Sequence, residues 1–351
     1  MSRRLSRPRR TRRSVAGGAE PTDDRVRLRA RGAPDLLGLI PYQLGFHPHE
    51  SLVAVFVRGR TIALVARMDL PPASAAEVFA ADLKTLARQN RATELVLFAY
   101  SEQPAPARAL LTGLVEALPP RLVNEALYVD GSRWWSLTCD ETCCPAEGTP
   151  YDVEGHRLAA EAVFAGMTAR SSREELAASV AGPPCGEVPG LAALAAEVRS
   201  ELADLPVGED SATRLLSQVS SGLEDPDRLD DRACTELAVL VDDLHLRDLV
   251  WAMIDPESAE QHVVLWQGVV SRVAPTLSAA PLALLGMAGW ISGNGALLNC
   301  AGQELLRRHP SYTMGQLLDQ ISARAIPPRL WYSMGGEVHA DLRRELARLA
   351  G

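Results

Sequence analysis

The stretch Ser51-Leu-Val-Ala-Val-Phe-Val-Arg-Gly-Arg-Thr-Ile-Ala-Leu-Val-Ala-Arg-Met68 holds two apolar runs parted only by Arg58-Gly59-Arg60. Such a spacing predicts a β-hairpin in which glycine supplies the turn. Runs that are apolar at nearly every position fit strands buried on both faces, and hence a sheet with helices on each side. Downstream, Ser74-Ala-Ala-Glu77 reads as a capping box opening a helix whose face carries Val78, Phe79, Leu83, Leu86 and Ala87. Glu94–Tyr100 follows as a strand, so the order strand, helix, strand is a crossover unit. A second amphipathic helix bears Leu110, Leu111, Leu114, Val115 and Leu118 and ends at Pro119-Pro120. The next hairpin pairs 123–129 with 133–138 and turns at Asp130-Gly131, a type I′ signal. Upstream, Arg25–Arg29 alternates like an edge strand, and Ala33–Ile40 reads as a short helix opened by Pro34 and stopped by Pro41.

Ala181-Gly-Pro-Pro-Cys-Gly-Glu-Val-Pro-Gly190 is the densest Gly/Pro punctuation in the chain, and a domain boundary is expected there. Beyond it no strand pattern appears. Helices are expected near 191–204, 211–222, 230–254, 256–273, 281–292, 295–308, 314–325 and 337–349, with a capping box at Thr313–Gln316. The pair around Trp290 and Leu305, closed by His309-Pro310, resembles a tetratricopeptide unit. The fold class is therefore an α/β N-terminal domain, a mixed sheet flanked by helices, followed by an all-α helical domain with one tetratricopeptide-like pair. The expected division is a disordered arginine-rich tail (1–23), the α/β domain (24–181), a Gly/Pro-rich linker (182–190) and the helical domain (191–351).

The net charge of −8 conceals an asymmetry. Seven of the 36 basic residues fall within 1–13, leaving 29 against 44 acids, or −15, for the rest. A body of that sign does not favour nucleic acid or anionic membranes, so nucleic acid is considered only for the tail. The longest apolar run, Ala279–Ile291, has 13 residues with Pro281 inside it, against about 20 needed to span a bilayer. No h-region follows the paired arginines. Six cysteines without an export signal point to a reducing compartment, and the expected location is the cytoplasm.

Two segments carry the candidate chemistry. Pro41–Ser51 feeds a central strand and offers Tyr42, His47, His49, Glu50 and Ser51, although it enters at the strand's amino end, whereas ligand loops in α/β sheets usually sit at carboxyl ends. His47 and His49 are two residues apart, not the four that align metal ligands on a helix. Asp130–Pro150 offers Arg133, Trp134, Trp135 and Glu147. Alternation along a strand sends the two tryptophans to opposite faces, one to the core and one to a groove beside Arg133, which can stack or clamp an anion. Cys139, Cys143, Cys144 and His156 are candidates for a Cys3His zinc site, but adjacent cysteines rarely bind one ion, and a structural loop is favoured. No phosphate-loop, dinucleotide, nucleophile-elbow or H-E-x-x-H signature occurs. Lys84, the only lysine, sits on a helix flank, so lysine-based covalent or phosphate chemistry is not expected.

Four of these stretches together resemble a known family. They are Pro41-Tyr-x-Leu-Gly-Phe-His-Pro-x-x-Ser51, Gly131-x-Arg-Trp-Trp-Ser136, Cys143-Cys-Pro-x-Glu-Gly-Thr-Pro150 and Trp290-x-Ser-Gly-Asn-Gly-Ala296. They resemble the actinobacterial domain-of-unknown-function family 4192, over about residues 28–331. The resemblance implies this order of domains and no particular activity.

The functional expectation is a cytoplasmic binding or regulatory module: the α/β domain recognises a small ligand and the helical domain another protein. No cofactor and no membrane contact are expected. The alternative is an enzyme, with zinc as its candidate metal and its site between the 41–51 loop and the 131–150 segment.

Overall fold

The computed structural model describes residues 30–139, 144–203, 209–330 and 336–349. The expected tail and the strand at Arg25–Arg29 lie outside them. Strands β1 (Ser51–Arg58), β2 (Thr61–Asp69), β3 (Glu94–Tyr100), β4 (Val123–Val129), β5 (Arg133–Ser136) and β6 (Thr149–Pro150) form one sheet in the order β2-β1-β3-β4-β5-β6. β3 and β4 are parallel and every other neighbouring pair is antiparallel, so the sheet is mixed.

Both faces are covered. Leu52, Ala54, Phe56, Leu95, Leu97 and Ala99 pack under α2 (Ala76–Gln89) and α3 (Pro104–Ala117). Val53, Val55, Val96, Phe98 and Val129 pack on the opposite side with α1 (Ala33–Leu44). Double-sided burial holds for β1 and β3; β2 is only half-buried, because it is the edge strand.

The second cluster continues without a break into the C-terminal helices: α6 (Val188–Ala203), α7 (Glu209–Glu224), α8 (Asp231–Leu240), α9 (Leu244–Met253), α10 (Ala259–Arg272), α11 (Ala279–Ile291), α12 (Gly295–Arg308), α13 (Thr313–Ala323) and α14 (Gly336–Leu349). All thirteen residues of α11 are buried, wrapped by α9, α10, α12 and α13. A helix apolar on every side is stable only in such a position. No helix among the described residues is long and apolar enough to cross a membrane. Two short helices join the halves, α4 (Arg157–Phe164) and α5 (Arg173–Ala178). Gln267 Nε2 donates to Ser179 Oγ at 2.7 Å, and Arg173 donates to Gln303 at 3.1 Å.

Several local expectations are corrected. α1 runs through Pro41 and ends at Gly45, whose φ of 76° is left-handed. Proline costs one helical hydrogen bond, but the buried face of Leu36, Leu37, Ile40 and Leu44 holds the last turn in place. The Ser74 capping box does not form, since 73–75 is a 3₁₀ turn and α2 starts at Ala76 without a side-chain cap. Thr313 lies inside α13, behind Tyr312, so that box is absent too. The single helix expected over 230–254 is two. Asp243 ends the run by accepting from the amides of His245 and Leu246 at 2.9 and 3.0 Å, a stronger local option than continuing the helix. The Asp130-Gly131 turn is not type I′: Asp130 and Arg133 close it, and of its two central residues only Gly131 has a positive φ, 99°.

His262 on α10 is fully buried. Trp266 Nε1 donates to its Nδ1 at 3.3 Å, which leaves the neutral ring's proton on Nε2, where it has no partner among the described residues. Burial pushes its pKa down from 6.5 to about 4, despite some opposing attraction from Asp255. A folded pKa below the unfolded one means that the unfolded chain binds more protons between those values. Stability from this group is complete above pH 6.5 and is lost as pH falls toward 4, by about 3 kcal/mol at the limit. His339, also lowered by burial and then by Arg343, adds in the same sense. Denaturant midpoints at neutral and mildly acidic pH should therefore lie closer together in His262→Leu than in the wild type, even though the variant is weaker at neutral pH.

Candidate functional site

A cavity of about 240 Å³ opens at the carboxyl ends of β3 and β4. These are the adjacent parallel strands of the sheet, and ligands of α/β proteins bind at such edges. The 41–51 segment borders it. β1 runs antiparallel to β3, with Ser51 opposite Tyr100, so the amino end of β1 lies at the same edge as the carboxyl end of β3. The objection that the loop enters at the wrong end therefore disappears. Leu37, Pro41, His47, Pro48 and His49 form one wall, and Ser101 and Glu102 follow β3. Val129, Asp130 and Gly131 come from the β4–β5 turn, with Tyr151 and Val153 beyond β6.

Tyr100 lies deep in the wall. It is 6% exposed, and its hydroxyl has no hydrogen-bond partner among the described residues. Burial raises its pKa well above 10, with a smaller contribution from Tyr151. Burial, then the charge of Asp130, pushes Tyr151 up to about 12. Both phenols therefore stay protonated at neutral pH and serve as neutral donors and acceptors. Burial would raise Asp130, but the amides of Ser132 and Arg133, the Ser132 hydroxyl and the Arg133 charge outweigh it and hold the carboxylate below its usual range. At the rim His49 Nε2 lies 3.5 Å from Glu102 Oε1, both side chains being largely exposed. The walls thus supply two acids and two phenols and no arginine or lysine.

Of the eight candidate ligand residues, only His47 lines this cavity. Glu50 and Ser51 are employed behind it. Glu50, at a left-handed φ of 40°, accepts from Ser101 Oγ at 3.0 Å with both oxygens and from the Glu102 amide at 2.9 Å. Ser101 Oγ also accepts from the Gln103 amide at 3.0 Å. Glu50 thereby holds the loop between β3 and α3. Ser51 Oγ donates to the His49 carbonyl at 2.6 Å and accepts from Arg67 Nε at 2.8 Å. Tyr42 is half-buried on α1.

Arg133, Trp134, Trp135 and Glu147 form a neighbouring structural unit. Arg133 Nη1 donates to the Gly148 and Glu147 carbonyls at 2.9 and 3.3 Å, so its guanidinium pins the loop before β6. Trp134 and Trp135 do point to opposite faces, and both are half-buried. The cation over Trp135 is Arg108 and not Arg133; it lies 5.3 Å from that ring and equally from that of Tyr128. Trp135 Nε1 donates to the Ala146 carbonyl at 3.0 Å, and Gly148 lies against the indole, where a Cβ would come within 2.4 Å. Glu147 is exposed.

Cys143 lies outside the described residues. His156, its companion in the zinc set, is engaged elsewhere: Nδ1 caps α4 by accepting from Leu158 N at 3.2 Å, and Nε2 faces Asp35 of α1 at 3.3 Å. Among the described residues no three His, Cys, Asp or Glu side chains gather to hold a metal.

The four stretches that resemble family 4192 pair up in space. The Gly45 turn lies against the Asn294 side chain, and the 131–136 hairpin is tied to the 144–150 loop. Residues 34–329 match a family profile described as Domain of unknown function (DUF4192). The chain belongs to this family. The match begins in α1 and ends beyond α13, so the DUF4192 unit comprises both the sheet and the helices packed on it. No curated protein and no solved structure matches the chain.

Tyr100, Glu102, Asp130 and Tyr151 were not singled out as ligand residues from the sequence. Tyr100 and Glu102 stood at the end of a legible strand, but nothing showed that this end faces the 41–51 loop. That required the antiparallel β1–β3 pairing, which is a long-range choice.

Proposed function

We propose that this DUF4192 protein is a binding module whose cavity takes a small, uncharged or cationic polar molecule. One observation carries the reading: Tyr100 lines the cavity, and its buried hydroxyl has no hydrogen-bond partner among the described residues. A buried hydroxyl without a partner costs about 1–3 kcal/mol, and a ligand group that pairs with it recovers that cost. Glu102 and Asp130 disfavour anions and favour amines or polyols, because no cation lines the walls. The volume lies just under the roughly 300–1,000 Å³ of drug-sized sites, which limits the ligand to a small metabolite.

Tyr100→Phe tests the reading. Removing an unpartnered hydroxyl should leave the free protein as stable as the wild type, or more stable by about 1 kcal/mol. A thermal-shift screen of small polyols, amines and neutral polar metabolites should then find compounds that stabilise the wild type and not the variant. A variant clearly less stable without ligand would show that the hydroxyl already has a structural role. Stabilisers acting equally on both proteins would place binding elsewhere.

A further inference from the structure

The opposite edge of the sheet carries a different chemistry. There, at the amino ends of β3 and β4, a concavity of about 510 Å³ is lined by Lys84 and Arg88 of α2, Arg91 in the following turn and Arg121 after α3. Its floor is apolar, made by Ala87, Ala92, Pro119 and Leu122. None of the four cations forms an ion pair among the described residues, and no acid lines the pocket. Elsewhere arginines are commonly matched, as in Arg199–Asp242 and Arg307–Glu304. The hairpin turn adds Arg58 and Arg60 to the same edge, tied in by Gly59 N donating to Thr93 Oγ1 at 3.3 Å. Glu94 is the nearby acid, and it accepts from Asn124 at 3.2 Å.

Part of this has a structural reason. Arg88 in the last turn of α2 complements the negative end of the helix dipole. That does not account for Arg91, which holds a left-handed φ of 52° in the turn, or for Arg121 beyond α3. Four unmatched cations around one concavity repel each other, on a body whose charge outside the first 13 residues is −15. An anion relieves that repulsion. Guanidinium groups recognise phosphate oxygens through paired hydrogen bonds, and the apolar floor suits a flat or aliphatic body.

We infer that this pocket is a second binding site, for an organic phosphate. The phosphate oxygens face Arg88, Arg91, Arg121 and Lys84, and the apolar part rests on Ala87, Ala92, Pro119 and Leu122. Lys84 here is one of four cations and needs no covalent role. The site is separate from the Tyr100 cavity and does not depend on it.

Phosphate chemistry reaches a protein either as a small metabolite or as a nucleic-acid backbone, and the acidic body around this one concavity, −15 outside the first 13 residues, disfavours a long polyanion and favours the small molecule. The test is titration calorimetry on the full chain with tripolyphosphate, a nucleoside triphosphate, the parent nucleoside and a single-stranded oligonucleotide. The two small phosphates should bind and the nucleoside should not. Arg91→Ala/Arg121→Ala should weaken triphosphate binding by about tenfold or more, since hydrogen bonds to charged groups are lost. Both side chains are exposed, so the melting temperature should hold. Arg324→Ala, an exposed arginine on the helical half, is the control and should bind as the wild type does. The tail arginines are present in every variant and cancel from the comparison. The inference is overturned if neither small phosphate binds, if the double variant binds unchanged, or if Arg324→Ala weakens binding equally. An oligonucleotide that binds while triphosphate fails to displace it also overturns it, by making this edge a nucleic-acid face.

Discussion

Trp266→Ala should unfold at a markedly lower denaturant concentration than the wild type, with a stability loss of about 3–5 kcal/mol. Trp266 is fully buried in α10, at the centre of the cluster joining the sheet to the helices. Removing the indole forfeits its burial and leaves a large void, since close-packed helices cannot collapse fully around the gap. It also removes the only hydrogen bond that the His262 ring makes among the described residues. The expected fall in melting temperature is roughly 10 °C, from about 2–4 °C per kcal/mol for a chain of this class. A second readout separates this from generic loosening. Water entering the void would relieve the desolvation of His262, so its pKa should climb back toward 6.5 and the acid sensitivity of the variant should shrink. A loss below 1 kcal/mol would mean that the helical core is not packed around α10.

Glu50→Ala is the second large effect, and it acts on the architecture of the cavity. The carboxylate accepts the Ser101 hydroxyl and the Glu102 amide across the mouth of the sheet. Hydrogen bonds to a charged group contribute about 1.5–3 kcal/mol each, discounted here because Glu102 is exposed, so the expected loss is about 2–3 kcal/mol. Backbone strain gives an internal check. At φ 40° a residue with a Cβ is strained, so glycine in its place should recover about 1 kcal/mol relative to alanine. The expected order of melting temperatures is wild type, Glu50→Gly, Glu50→Ala. Compounds that stabilise the wild type through the Tyr100 cavity should bind both variants weakly, because Ser101 and Glu102 line it. Alanine proving more stable than glycine would show that the left-handed backbone imposes no cost.

A short-range signal and a long-range one separate what was legible from what was not. Apolar runs at 51–57 and 94–100, the glycine turn at 58–60, and the absence of any strand pattern beyond 190 determined the fold class from the sequence alone. These are local properties: side-chain periodicity and turn conformation depend on residues a few positions apart. Family membership was equally legible, because it rests on linear motifs. Helix ends were less so. Ser74 and Thr313 had the right spacing for caps, yet packing of the adjoining segments set α2 and α13 to start elsewhere, and Asp243 divided a helix that periodicity alone would continue.

Only the tertiary structure decided what the motifs do. Pairing β1 antiparallel to β3 brought the amino end of one strand to the carboxyl end of the other. That turned Glu50 and Ser51 into supports, and it made Tyr100 and Asp130, which neither pattern nor spacing marked as ligand residues, into the walls of a cavity. Likewise Lys84 and three arginines, scattered over 38 positions of sequence, form one pocket because two crossover helices end side by side. The reason is the same in each case. Charge and hydrogen-bonding capacity are written in the residues, but which of them stand within a few ångströms is set by strand order and helix packing, and the sequence does not display those.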